Sequence, residues 1–87
     1  LDDAFRKICV GRYLGAVTHV VAQEADGQLT LKPDFQPRYH LRPYRGAIFT
    51  IAELEGFRVE FRRGPDGRIH ELVFHQPNGT YIARAAT

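Results

Sequence analysis

Phe57-Arg58-Val59-Glu60-Phe61-Arg62, followed after Arg63-Gly64 by Pro65-Asp66-Gly67, decides the fold. Phe57, Val59 and Phe61 fall on one face, and Arg58, Glu60 and Arg62 on the other. This period of two, apolar on one side and charged on the other, is that of a half-buried strand. Asp66-Gly67 then reverses the chain, because Asp-Gly supplies the positive φ angles that tight turns need. The same punctuation recurs at Asp26-Gly27 and Pro77-Asn78-Gly79. Each turn lies between β-branched, aromatic and leucine residues, so the chain reads as an antiparallel meander of short strands.

Working outward, Arg68 to His75 follows the central turn. Leu72 and Phe74 share a face there, but Ile69 has the opposite parity. A β-bulge between Ile69 and Leu72 would let all three point inward. Thr80 to Ala85 closes the chain with Tyr81 and Ala83 aligned. Upstream lie Val10 to Leu14, Val17 to Gln23, Gln28 to Lys32, Tyr39 to Arg42 and Ala47 to Ile51. Pro33 to Arg38 reads as an irregular connection, since neither Pro33 nor Pro37 can donate to a ladder. Tyr44-Arg45-Gly46 and Glu53 to Gly56 read as turns. Leu1 to Cys9 is the helical candidate, with Leu1, Phe5 and Ile8 on one stripe and Asp2 and Asp3 near its start, where the helix dipole favours them.

The expected fold is therefore all-β: a small antiparallel meander barrel of about eight strands with a short N-terminal helix. Short strands with one apolar face solve their edge problem by curling closed. Residues 1–9 are a helical lead-in or linker remnant, and residues 10–87 form the barrel. The expected core is Tyr13, Leu29, Leu31, Leu41, Phe49, Ile51, Phe57, Val59, Phe61, Leu72, Phe74 and Tyr81.

Eighty-seven residues with a 44% apolar share suit one packed domain. Cys9 is the only cysteine, so no disulfide forms within the chain, and its neighbours Ile8 and Val10 mark it as a buried small hydrophobe. No apolar stretch approaches the length of a membrane-spanning helix, and no membrane partner is expected. The acidic start and the lack of any methionine suggest a piece of a longer polypeptide. Ten of the twelve basic residues are arginines, a bias that reads as GC-rich coding rather than as an anion-binding face.

Catalysis finds little support. There is no serine. Thr18, Thr30, Thr50 and Thr80 lie in strands or beside turns, and Cys9 lies in an apolar stretch, so no base-activated nucleophile is presented. His19, His40, His70 and His75 lack the spacing of a metal site. Glu60 and Glu71 read as outer-face partners of Arg58, Arg62 or Arg68. Gly11-Arg12-Tyr13-Leu14-Gly15 lacks the lysine of a phosphate-cradling loop. No catalytic residue, metal or cofactor is expected. Arg38, Tyr39, Arg42, Tyr44 and Arg45 form an aromatic–arginine cluster that a single-strand-binding barrel could use, but a net charge of +2 argues against a dedicated nucleic-acid binder. A small apolar ligand inside the barrel is the other alternative, opposed by the bulk of Phe49, Phe57, Phe61 and Phe74. If any face binds, Tyr39, Arg42, Tyr44 and Arg45 are the candidates, because aromatic and arginine side chains supply most interface hot spots. Two copies could also pair through an edge strand.

The order of motifs resembles a known family. Val10-Gly11-Arg12-Tyr13, then Gln28-Leu29-Thr30-Leu31, Leu41-Arg42-Pro43, Val59-Glu60-Phe61-Arg62, Pro65-Asp66-Gly67-Arg68-Ile69, Leu72-Val73-Phe74-His75-Gln76 and Asn78-Gly79 carry the likeness. They are similar to the C-terminal lipocalin-like β-domain of serine beta-lactamase-like and penicillin-binding-protein-like hydrolases of the D-aminopeptidase type. The resemblance implies a non-catalytic accessory domain of a bacterial, periplasmic or extracellular enzyme, one that docks on the upstream hydrolase of the same polypeptide or shapes access to its cleft. The family's catalytic serine and its S-x-x-K motif are absent from this chain, so no catalytic residue carries over.

Overall fold

Glycine turns and alternating strands assemble as expected. The computed structural model describes residues 3–86. Leu1 and Asp2, on which the predicted helix begins, and Thr87 lie outside the described residues. One helix, α1 (Asp3–Cys9), precedes eight strands: β1 (Gly11–Leu14), β2 (Thr18–Gln23), β3 (Leu29–Pro33), β4 (Tyr39–Arg45), β5 (Ile48–Ile51), β6 (Arg58–Arg63), β7 (Ile69–Gln76) and β8 (Gly79–Ala85). Each strand pairs antiparallel with the next. β1 and β8, the two strands that a linear meander would leave as edges, meet through Tyr13↔Ala85 and Leu14↔Arg84 and close the barrel.

The turns show why the reversals fall where they do. Gly27 and Gly67 adopt φ values of 91° and 82°. The aspartate before each accepts from the backbone two residues on: Asp26 Oδ1 from Gln28 N and Asp66 Oδ1 from Arg68 N, both at 3.0 Å. Side chain and glycine together select the turn.

The bulge falls where parity required it. Arg62 faces Glu71 while Arg63 faces Ile69, so His70 is the extra residue, and Ile69, Leu72 and Phe74 are all buried. A second irregularity overturns one expectation. Tyr44 and Arg45 do not form a turn but continue β4, with Pro43 opposite Phe49 and Arg45 opposite Ile48. Tyr44 is bulged out, and a bulge is one of the few places where a strand tolerates proline.

The core holds ten of the twelve expected residues, together with Cys9, Val21, Ile69, Val73 and Ala83. Phe49 and Phe61 meet edge to face at 5.5 Å, and Tyr13 and Phe61 at 6.1 Å. Tyr81 and Phe57 depart from the expectation. Tyr81 is 48% exposed and Phe57 half-buried. Both have inward parity but stand at the barrel end that no helix covers.

The opposite end is closed by α1. Tyr13 Oη donates to the Cys9 carbonyl at 2.7 Å, in a buried bond. Gln23 Nε2, at the end of β2, donates to Asp3 Oδ1 at 2.8 Å. The Arg63 guanidinium, at the end of β6, lies 5.3 Å from the centre of the Phe5 ring. Cys9, not Ile8, is the residue α1 buries; Ile8 is exposed. The apolar stripe is thus Phe5 with Cys9, one turn apart on the helix.

Candidate binding site at the open end of the barrel

β2, β4, β6 and β8 begin at the end opposite α1, and His19, Tyr39, Phe57 (just before β6) and Tyr81 stand around its opening. The result is an open apolar cavity of about 510 Å³. Its walls come from Leu31, Ile51, Phe74 and Ala83 below and from Val17, Tyr39, Leu54, Phe57, Tyr81 and Ile82 around the rim. Pro33, which ends β3 opposite His19 instead of opening the expected irregular connection, borders it together with Gln36 of the β3–β4 connection. That connection is pinned to β2: Asp34 N donates to the Thr18 carbonyl at 2.9 Å, and Thr18 N donates to Asp34 Oδ2 at 3.4 Å. It carries Phe35, which is 97% exposed and holds a left-handed φ of 67°, a conformation costly for a residue with a Cβ.

His19 is the distinctive polar group of this mouth. It has inward parity on β2, and its ring packs tilted at 38° against Phe74 with centroids 4.6 Å apart. Its Nδ1 is buried and has no hydrogen-bond partner among the described residues. Burial pulls its pKa below the ordinary 6.5, against the opposing pull of nearby Asp34, so the ring is predominantly neutral at pH 7 and above. The other three histidines each have a carboxylate: His40 with Glu53, His70 with Asp66 at 2.8 Å and His75 with Glu60 at 3.0 Å.

The four residues expected to bind do not form one patch. Tyr39 lies at the rim of the cavity, its hydroxyl donating to Gln36 Oε1 at 3.2 Å. Arg42, Tyr44 and Arg45 are exposed on the part of β4 that runs away from the mouth. There the Tyr44 ring lies between Arg58, 4.2 Å from its centroid, and Arg45 at 5.6 Å. Further along the outer face, Arg62 bridges Glu60 and Glu71 at 3.7 and 4.0 Å, and Arg84 meets Glu71 at 3.0 Å. Arg62 is thus the expected partner of both glutamates, whereas Arg58 is taken by Tyr44 and Arg84 is an added one. His19 was visible in sequence only as one histidine of four. Its inward parity next to Val21 was the available signal.

Among the described residues that line this mouth there is no serine, threonine, cysteine or lysine. The single thiol, Cys9, is at the closed end, and burial pushes its pKa up to about 12. Among the described residues, no group of three or more histidine, cysteine or acidic side chains could hold a metal ion. No family model and no characterised protein matches the sequence.

Proposed function

We propose that this chain is a non-catalytic binding module that takes an apolar group into the open end of its barrel. The observation that carries the reading is the asymmetry of the two ends: α1 seals one, and the other opens into an apolar cavity of about 510 Å³. That volume lies within the roughly 300–1,000 Å³ of small-molecule sites. The bulk of Phe49 and Phe61 fills the middle of the barrel and the closed half, so the ligand sits in the mouth rather than along the axis.

Titration with 2-ethylnaphthalene, followed by backbone amide NMR, tests this. Shifts should be confined to residues 15–19, 31–39, 51–57 and 74–83. Val17→Trp, which puts an indole at the rim, should abolish them. Binding elsewhere, or none, refutes the reading.

Tyr81 and Ile82, exposed and apolar at the same opening, and Phe35, exposed on the connection next to it, favour a second reading. In it the seated group belongs to a protein, as in the accessory role implied by the resemblance, with the barrel docked on a serine hydrolase. An antibody against the barrel should then detect, in source cells, a polypeptide far larger than 87 residues that a beta-lactam active-site probe labels. A band of the size of this chain refutes that role.

A further inference from the structure

We infer that the ligand of the open end is a neutral aromatic compound bearing a carbonyl, which accepts a hydrogen bond from His19 Nε2–H; this rests on the reading of that end as a binding site. The ring system follows from the walls. His19, Tyr39, Phe57, Phe74 and Tyr81 put five aromatic rings around one opening. Such rings favour offset or edge-on contact with another flat ring over contact with an aliphatic chain.

The acceptor follows from the histidine. A neutral imidazole carries one N–H and one bare nitrogen. Nδ1 is buried without a partner. An orphaned buried N–H is rarer and more costly than an under-satisfied acceptor. The proton therefore resides on Nε2, and Nδ1 is the bare nitrogen. The ring is fixed against Phe74 and lines the mouth, so Nε2–H is the donor it can offer to an occupant. Unlike His40, His70 and His75, it has no carboxylate to receive that bond.

Neutrality follows from Asp34. Its carboxylate acts electrostatically on His19 and is held next to β2 by Thr18. A ligand carboxylate set against His19 would meet that like charge, which stands exposed beside the mouth. A ketone, amide or quinone-type carbonyl would not.

Three probes of matched shape separate the possibilities: 2-acetylnaphthalene, 2-ethylnaphthalene and 2-naphthoate, each titrated into the parent protein and into His19→Phe. The substitution keeps a ring on Phe74 and removes both nitrogens. The affinity ratio of acetyl to ethyl compound should fall about tenfold in His19→Phe, the upper reach of one neutral hydrogen bond. Naphthoate should bind more weakly than the ketone. A second measurement needs no variant: the imidazole ¹⁵N spectrum of the parent should show protonated Nε2 and bare Nδ1, and Nε2 should shift with the ketone but not with the hydrocarbon. An unchanged ratio with an unmoved Nε2, or tighter binding of naphthoate, overturns the inference while leaving the mouth as an apolar site. Failure of all three probes to bind overturns both.

Discussion

Tyr13→Phe removes one oxygen and should loosen the closed end of the barrel. Tyr13 Oη donates to the Cys9 carbonyl in a buried bond of 2.7 Å. Burial also raises the phenol pKa, so the hydroxyl stays a donor well into alkaline solution. Phenylalanine keeps the ring and its edge contact with Phe61. What is lost is one hydrogen bond, with a net worth of about 0.5–1.5 kcal/mol, and what is left is a buried carbonyl without its partner, at about 1–3 kcal/mol. These overlap, and about 2 kcal/mol is the expected cost. In a domain of this size that lowers Tm by about 8–16 °C. The thiol of Cys9 gives a local readout, because it is the only cysteine and is fully buried under the same contact. With a pKa raised to about 12 it reacts with a disulfide reagent at pH 8 only after α1 lifts and restores an ordinary thiol. If lifting α1 is the opening event, 2 kcal/mol speeds labelling about thirtyfold. Tyr39→Phe, which loses only the exposed bond to Gln36 at the other end, should leave the labelling rate unchanged. A parent protein labelled as fast as a free thiol, or a Tyr13→Phe variant with unchanged rate and Tm, refutes the reasoning.

Three further outcomes are expected. Phe35→Asn should stabilise the protein by about 0.5–1 kcal/mol in urea unfolding, because asparagine tolerates the left-handed backbone at φ 67° and the 97% exposed ring leaves no packing to lose; destabilisation refutes this. The two perturbed histidines should pull stability in opposite directions with pH. His19 has a lowered folded pKa, so just below 6.5 the unfolded chain binds more protons and stability falls as the pH drops. His40 has a raised pKa, mainly through its bond to Glu53, so its contribution is full below 6.5 and is lost as pH rises through its folded value. Urea midpoints from pH 5 to 8 should therefore show a smaller acid loss in His19→Phe and a smaller alkaline loss in His40→Gln than in the parent; unchanged slopes refute the assignments. Tyr44→Ala should cost at most about 1 kcal/mol, since the exposed cation–π pair with Arg58 is worth about 0.5–1, and Arg42→Ala, at an exposed position of β4, should change stability by about 0.5 kcal/mol or less. A loss above 2 kcal/mol would place the Tyr44 bulge in the structural core.

Local chemistry explains which parts of this fold were legible in the sequence. Asp26-Gly27 and Asp66-Gly67 carry their own instructions, a carboxylate that accepts two residues on and a glycine free to take positive φ. The His70 bulge was legible because Ile69 broke a parity that Leu72 and Phe74 kept. The Tyr44 bulge was not, because Pro43 and Gly46 flank Tyr44-Arg45 with turn residues, and only the pairing of Pro43 with Phe49 and Arg45 with Ile48 keeps the strand going. Parity also misplaced Tyr81 and Phe57 in the core. It reports which way a side chain points, not whether anything lies over it.

The mouth was illegible for that same reason. A closed meander has two ends, and its alternation of apolar residues does not distinguish them. The difference arises from contacts far apart in the chain: Tyr13 with Cys9, Gln23 with Asp3 and Arg63 with Phe5 seat α1 on one end only. That choice leaves His19, Tyr39, Phe57 and Tyr81 around an opening instead of beneath a helix. Had α1 docked on the other end, the same side chains would be packed core and the imidazole an unsatisfied buried group, which interiors avoid. A histidine packed against Phe74 with one nitrogen sealed off and no carboxylate partner is tolerable where an occupant can reach the other nitrogen. The position of α1 and the isolation of His19 are therefore two consequences of one arrangement. A Tyr13→Phe variant that frees α1 should leave ketone selectivity at the far end intact as long as the barrel stays closed.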